Sequence, residues 1–87
     1  MKADSTLAAG FGRAIRNRRR VLGLSQEELA WRGGLNRSYV TDIERGARNP
    51  SLSTMAKLAA ALQSPLYTLL RDAEEKTPNA DRCITPR

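Results

Sequence analysis

The chain has 87 residues, a net charge of +6 and 40% hydrophobic residues, so it is long enough for one small domain and too apolar for complete disorder. It contains no histidine and one cysteine, Cys83, which excludes an internal disulfide and leaves no plausible zinc site. The first residues include the charged Asp4 and no long apolar run. They predict neither a signal peptide nor a membrane span, and we expect a cytoplasmic protein.

Positive charge is concentrated in the first half of the chain. Residues 1–50 hold ten basic and five acidic residues, whereas residues 51–87 hold five basic and four acidic ones. Most of the basic residues are arginines, whose guanidinium groups fork onto phosphate and onto guanine. A solvated basic surface is the common alternative, but the uneven charge favours a polyanionic partner such as nucleic acid.

Helix one is predicted to begin near Leu7, after a disordered lead at residues 1–6. It is expected to end at Gly23, because glycine is common just past the end of a helix. Gly10 and Gly12 are expected to weaken its start, each by about 1 kcal/mol relative to alanine.

Helices two and three are predicted from their caps. Ser25 and Glu28 have the spacing of a capping box at the start of helix two. The glycine pair at 33–34 should end this helix, with at least one residue at positive φ. Asn36 is the expected N-cap of helix three, and Gly46 should end that helix.

Helices four and five complete the predicted bundle. Ser51 is the expected cap of helix four, and Leu52 begins the apolar face of that helix. A cap and a first-turn proline at residues 64–65 should start helix five. Residues 76–87 contain two prolines and no periodic apolar pattern, which predicts a flexible tail after a folded unit at residues 7–75.

The stretch from residue 24 to residue 46 is predicted to be a helix, a tight turn and a second helix. Ala30 is small enough for two helices to cross there, and Gly34 admits a left-handed turn. Val40 and Ile43 supply the inner face of the second helix. A unit of this kind lays its second helix in the major groove of DNA.

Short motifs in and around this stretch carry a family resemblance. They are Gly23-Leu24-Ser25-Gln26, Leu29-Ala30, Gly34, Ile43-Glu44-Arg45-Gly46 and Asn49-Pro50-Ser51. On these motifs, residues 11–71 resemble the Cro and phage-repressor type of helix-turn-helix domain, an all-α five-helix bundle also described as lambda-repressor-like. The run Arg37-Ser38-Tyr39 and the pair Arg48-Asn49 make the chain look most like the controller proteins of restriction–modification systems.

The helix faces and the resemblance together predict a DNA-binding set. Its members are Gln26, Asn36, Arg37, Ser38, Tyr39, Thr41, Asp42, Arg45 and Arg48. Arg37 begins the second helix of the motif and is the best candidate for a bidentate contact with guanine, worth about 1–3 kcal/mol of discrimination. A phosphate contact is the alternative for Arg37, and Ser38 and Thr41 are either DNA contacts or neutral fillers.

The remaining members of this set have more than one possible role. Asp42 would repel phosphate, so it either accepts from a cytosine amino group or, as we favour, orients Arg45 or Arg37. Arg45 and Arg48 resemble positions that clamp the DNA backbone, although Arg48 could reach a base. Tyr39 resembles a DNA-contacting tyrosine, with packing towards helix four as the less favoured alternative.

The resemblance also implies roles for residues behind this face. Gln26 would bind the DNA backbone and brace the second helix, with a solvent-exposed position as the alternative. Glu44 would form an ion pair with Arg19, and breaking a buried pair of this kind typically costs about 3–5 kcal/mol. Arg18 and Arg20 are expected on a solvated face or near phosphate, and Trp31 in half-exposed packing near helix one.

Helix five is more apolar than one face of a short terminal helix requires. The residues concerned are Leu66, Tyr67, Leu69 and Leu70. Some should pack on helix four, and the rest would leave an exposed patch that indicates a partner surface. The resemblance implies a second copy of the chain, with two such motifs about 34 Å apart on DNA. The alternative is that all four residues belong to the core, which is less favoured for Tyr67 and Leu70.

The expected function is that of a homodimeric transcriptional regulator that binds inverted repeats in double-stranded DNA and controls its own or a neighbouring promoter. No cofactor, metal, small-molecule ligand or membrane partner is expected. The alternative is an antitoxin-type protein that binds a partner toxin as well as DNA, with residues 76–87 as a candidate toxin-binding segment that is short and lacks an amphipathic pattern. An enzyme is disfavoured because the chain lacks a histidine, a nucleophile–base set and a phosphate-binding loop.

Overall fold

The computed structural model describes the backbone of residues 2–75 and the side chains of residues 6–75. Within that range the chain forms five helices and no strand, which confirms the predicted all-α, helix-turn-helix bundle. The helices are α1 (Lys2–Val21), α2 (Gln26–Gly33), α3 (Arg37–Glu44), α4 (Leu52–Ala61) and α5 (Leu66–Glu75). The expected tail at residues 76–87, which includes Cys83, lies outside the described residues.

The first helix begins earlier than the sequence predicted. Because α1 already includes Lys2, the expected disordered lead at residues 1–6 is corrected for residues 2–6. Three alanines between residues 2 and 9 favour the helical state. Further along α1, Ala9 lies against Gly46, where an added Cβ would be 2.9 Å from the Ala9 Cα.

Two glycines of α1 are positions of close helix packing. A Cβ added to Gly10 would lie 2.7 Å from the carbonyl oxygen of Ala73, and one added to Gly12 would overlap the carbonyl oxygen of Ile43. Both glycines are buried. The cost in helix propensity that the sequence predicted is therefore offset by an approach of α1 to α5 and α3 that a side chain would prevent.

The predicted caps of α2 and α4 are confirmed. The Ser25 hydroxyl accepts from the Glu28 N–H at 3.0 Å, and the Glu28 carboxylate accepts from the Ser25 N–H at 2.8 Å, so the capping box is complete. The hydrogen bond from the Ser25 backbone holds the pKa of Glu28 below its ordinary value. The Ser51 hydroxyl accepts from the Thr54 N–H at 3.1 Å.

The start of α5 differs from its prediction. The helix begins at Leu66, so Pro65 precedes it instead of occupying its first turn. The Ser64 hydroxyl donates to the carbonyl oxygen of Pro65 at 3.3 Å. A hydroxyl that points to this neighbouring carbonyl does not act as the expected N-cap.

Every helix contributes to the core. Ile15, Leu29, Ile43, Leu58 and Leu69, one from each helix, are at most 2% exposed. Burying a side chain of this size contributes about 1.5–3 kcal/mol. None of the helices within residues 2–75 has both the length and the apolarity needed to cross a membrane.

Two residues that were predicted to pack lie in solvent. Leu52 is 67% exposed and Trp31 is 84% exposed. Leu29 and Ala30 occupy the buried side of α2, and each further residue is rotated by about 100° around the helix, which carries Trp31 away from the core. Leu52 is the first residue of α4, and the buried residues of that helix begin at Leu58.

Candidate nucleic-acid interface

A tight turn joins α2 to α3 and sets the direction of the second helix. Gly34 has φ 67° and ψ 34°, and its N–H donates to the carbonyl oxygens of Ala30 and Trp31. Glycine adopts this left-handed conformation without the steric cost of a Cβ. The Asn36 side-chain oxygen then accepts from the Ser38 N–H at 2.8 Å, which confirms the predicted N-cap of α3.

A buried ion pair joins α1 to the end of α3. Arg19 donates from Nε to Glu44 Oε2 at 2.7 Å and from Nη2 to Glu44 Oε1 at 3.0 Å. Its Nη1 donates to the carbonyl oxygen of Leu24 at 2.9 Å. The Arg19 and Glu44 side chains are 12% and 3% exposed, and the hydrogen bonds to Glu44 raise the pKa of Arg19 above its ordinary value. This bidentate geometry fixes α1 and α3 in one relative position.

Gln26 extends the ion pair to the middle of α3. Its Nε2 donates to Glu44 Oε1 at 3.0 Å, and its Oε1 lies 3.0 Å from the Thr41 hydroxyl. Because a carboxylate can only accept, the amide must present its nitrogen to Glu44 and its oxygen to Thr41. Gln26 thus braces α3 from the start of α2. We call Arg19, Gln26, Thr41 and Glu44 the junction network.

The two sides of α3 have different chemistry. Val40 and Ile43, on the inner side, are at most 1% exposed, as the sequence predicted. The opposite side has a shallow depression lined only by polar and charged residues. These residues are Arg37, Ser38, Thr41 and Asp42.

A second group of side chains extends from α3 into the segment that follows it, and we call Tyr39, Asp42, Arg45 and Arg48 the outer cluster. Asp42 lies 3.5 Å from Arg45 Nη1 and 3.5 Å from Arg48 Nε. The Arg48 guanidinium carbon is 5.3 Å from the centre of the Tyr39 ring. Asp42 therefore contacts Arg45, one of its two predicted partners, and Arg48 in place of Arg37.

Tyr39 takes part in packing, and its contact with DNA stays a prediction. Its ring is half-buried and packs against the hydrophobic core, so the less favoured packing alternative applies to part of the side chain. The ring also supports the Arg48 guanidinium by a cation–π contact. This packing restricts where the Arg48 charge can point.

The sequence predicted that Arg18 lies on a solvated face or near phosphate, but its side chain binds the end of α4. Its Nε donates to the carbonyl oxygen of Leu62 at 3.1 Å, and its Nη2 to that of Gln63 at 3.2 Å. Arg18 therefore satisfies carbonyl groups at the end of α4, where Gln63 has a φ of 56°. No local pattern could have revealed this role, because the acceptors are more than forty residues away in sequence.

The predicted dimer residues of α5 do not share one environment. Leu69 is 2% exposed, so it belongs to the core and cannot contact a second chain, which corrects its assignment. Tyr67 is 70% exposed. Leu66 and Leu70 are half-buried and pack at the edge of the core.

The side chains around α3 are suited to binding an anionic partner. Among residues 6–75, no three acidic, histidine or cysteine side chains are arranged to hold a metal ion. The cations here are arginines, whose fixed N–H donors match phosphate oxygens and base edges.

Comparison with known proteins agrees with this geometry. The helix-turn-helix family profile matches residues 15–69, which include the whole of α2, α3 and α4. The chain belongs to the helix-turn-helix family.

Several helix-turn-helix relatives are controller proteins. Control protein C.SmaI from Serratia marcescens is 45% identical over 64% of this chain and 67% of its own length. Control protein C.BamHI from Bacillus amyloliquefaciens is 45% identical over 60% of this chain and 65% of its own length. The restriction–modification controller protein C.AhdI from Aeromonas hydrophila, known from a crystal structure, is 48% identical in sequence to this chain. The two structures superpose with a TM-score of 0.70, covering 71% of this chain and 94% of that one. The resemblance to controller proteins is thus confirmed.

Proposed function

We propose that this helix-turn-helix chain is a transcriptional regulator that binds inverted-repeat operators in double-stranded DNA as a homodimer and regulates its own promoter. In this proposal α3 is the recognition helix, and the chain catalyses no reaction. The observation that carries the proposal is the polar face of α3, whose position the junction network fixes through Thr41 and Glu44.

The dimensions of α3 and of DNA support this role. An α-helix with its side chains is about 10–12 Å across, and the major groove of B-DNA is about 12 Å wide. Arg37 is exposed in the first turn of α3 and has no ion-pair partner among residues 6–75. Its five N–H donors are therefore available for guanine O6 and N7.

The other residues around α3 supply contacts to the DNA backbone. Arg45 and Arg48 have side chains that are 67% and 57% exposed, and both can fork onto a phosphate group. Gln26 uses one N–H for Glu44, and its second N–H can donate to a phosphate oxygen. Contacts of this kind set the register of the protein on the duplex, whereas Arg37 reads a base.

An apolar surface on α4 and α5 supports the homodimer. Tyr67 and Leu52 are 70% and 67% exposed, and Leu66 and Leu70 are half-buried on α5. Leu70 also lines a groove with Met55, which lies about one turn of α4 after Leu52. Leu66, Tyr67 and Leu70 lie within five consecutive residues of α5, and a group of incompletely buried apolar side chains is typical of a partner surface. A two-fold partner would align two α3 helices along one face of the DNA.

The DNA-binding proposal is tested by selecting bound sequences from a random duplex library at near-physiological salt. We expect an inverted repeat with half-sites about one helical turn apart. With Arg37→Ala, preference at one position per half-site should relax by about 1–3 kcal/mol. Arg32→Ala is the control, because Arg32 is an exposed arginine outside α3. If the wild-type chain enriches no sequence, the proposal fails and a protein partner becomes the better explanation.

The homodimer is tested by sedimentation of a Tyr67→Asp variant. An ionised carboxylate in an apolar interface is costly, so we expect a monomer at concentrations where the wild type is dimeric. Trp31→Asp is the matched control, because Trp31 is a similarly exposed aromatic residue on α2. If Tyr67→Asp sediments like the wild-type dimer, the proposed interface is wrong.

A further inference from the structure

Three exposed arginines form a ridge on α1. Arg13, Arg16 and Arg20 are three and four residues apart, a spacing that places them on one side of a helix. All three are largely in solvent, and within residues 6–75 none of them forms an ion pair. We call these residues the α1 ridge.

The α1 ridge runs beside the contact between α1 and α3. Gly12 packs on the carbonyl groups of Ile43 and Glu44, and Arg19 binds the Glu44 side chain. Arg16 lies four residues after Gly12 and three before Arg19, so it is on the same side of α1 as these two contacts, and Arg13 and Arg20 are their neighbours in sequence. The ridge therefore emerges next to the C-terminal end of α3.

We propose that the α1 ridge is a second phosphate-binding surface, which contacts the DNA strand that borders the groove occupied by α3. The inference rests on the proposed function. On α1 the ridge residues Arg16 and Arg20 flank Arg19, which is joined through Glu44 to Gln26. The proposed function places Gln26 against a phosphate group, so this end of α1 lies near the same strand, where arginine forks bind phosphate oxygens.

A structural role explains only part of this charge. Cations in the last turn of a helix interact favourably with its dipole, and Arg20 lies in the last turn of α1. The effect falls off within that turn, so it does not account for Arg13 and Arg16. The remaining arginines of this helix already have partners in the fold, since Arg18 binds the end of α4 and Arg19 binds Glu44.

The test compares two triple variants of the full chain that remove equal charge. The first is Arg13→Gln, Arg16→Gln and Arg20→Gln. The second is Arg32→Gln, Lys57→Gln and Arg71→Gln, which changes exposed cations on α2, α4 and α5. The affinity of each variant for the duplex recovered from the selection is measured over a range of salt concentrations, and helical content is checked by circular dichroism.

We expect the α1 ridge variant to lower the slope of log affinity against log salt by about 0.9 for each phosphate group that it no longer neutralises. The base preference should stay unchanged, because the ridge touches no base. The control variant should keep nearly the wild-type slope. If the two variants have equal slopes, the inference is wrong while the proposed function stands. If the wild type selects no sequence, the proposed function fails and the inference fails with it.

Discussion

In both the junction network and the outer cluster, a carboxylate of α3 is paired with arginine, but the two groups differ in burial and geometry. In the junction network the nearest arginine and carboxylate atoms are 2.7 Å apart, and the Glu44 side chain is 3% exposed. In the outer cluster the nearest arginine nitrogen and carboxylate oxygen are 3.5 Å apart in each of the two pairs, and the Asp42 side chain is 30% exposed. The ion pair of the junction network is therefore short and mostly buried, whereas the pairs of the outer cluster are longer and partly exposed to solvent.

In the proposed function, the junction network positions α3 and the outer cluster contacts the DNA. Removing one partner of a buried pair leaves an uncompensated charge in the interior, which costs about 3–5 kcal/mol. Exposed pairs contribute about 0–1 kcal/mol, because water and salt screen them. The helix can therefore be rigidly placed on one side while arginines on the other side exchange Asp42 for another anion at little cost.

The largest expected effect is that of Glu44→Ala in the junction network. It would leave the Arg19 guanidinium without its carboxylate in a mostly buried site and remove the acceptor of the Gln26 amide. We expect the free energy of unfolding to fall by about 3–5 kcal/mol, measured by urea denaturation. A loss of stability below about 1 kcal/mol would mean that the buried pair is no stronger than the exposed ones.

An intermediate effect is expected for Gly12→Ala, which tests the packing behind the junction network. An added methyl group would overlap the carbonyl oxygen of Ile43, so α1 and α3 would have to separate. Overpacking of this kind costs about 1–3 kcal/mol. Thermal unfolding measures it, with the exposed Asn17→Ala on the same helix as control. If Gly12→Ala is as stable as that control, the two helices can separate freely.

The smallest effect on stability is expected for Asp42→Ala in the outer cluster. The free energy of unfolding should change by no more than about 0.5 kcal/mol. Binding to a duplex without the selected site should become tighter, because the change removes a negative charge and releases Arg45 and Arg48. Fluorescence anisotropy measures the affinity, with Asp72→Ala on α5 as control. Weaker binding would mean that Asp42 positions the two arginines for DNA.

Much of the fold could be predicted because its helix ends depend on neighbours in sequence. The capping box of Ser25 and Glu28 acts within one turn, as do the caps at Asn36 and Ser51. The turn at Gly34 needs only a residue that tolerates positive φ. The start of α1 was misplaced, since the helix already includes Lys2, and the close packing of Gly10 and Gly12 against α5 and α3 could not be seen from local propensity.

The sequence predicted which side of α3 is polar better than it predicted the contacts between the side chains there. Helical spacing separates the inner residues of α3 from the polar outer ones, and the family resemblance implied the partners Arg19 and Glu44. The contact of Asp42 with Arg48 joins α3 to the segment that follows it, and spacing within one helix cannot predict such a contact.

The sequence by itself determined where α2, α3 and α4 begin and end, which side of α3 is polar, and which half of the chain carries the charge. Only the tertiary structure decided that Gly10 and Gly12 are packing positions, that Arg18 satisfies the end of α4, and that Leu69 is core while Tyr67 is surface. The physical reason is separation along the sequence, because helix caps and tight turns depend on hydrogen bonds to residues only a few positions away. Burial and arginine pairing instead depend on groups that are distant in sequence and that folding brings together.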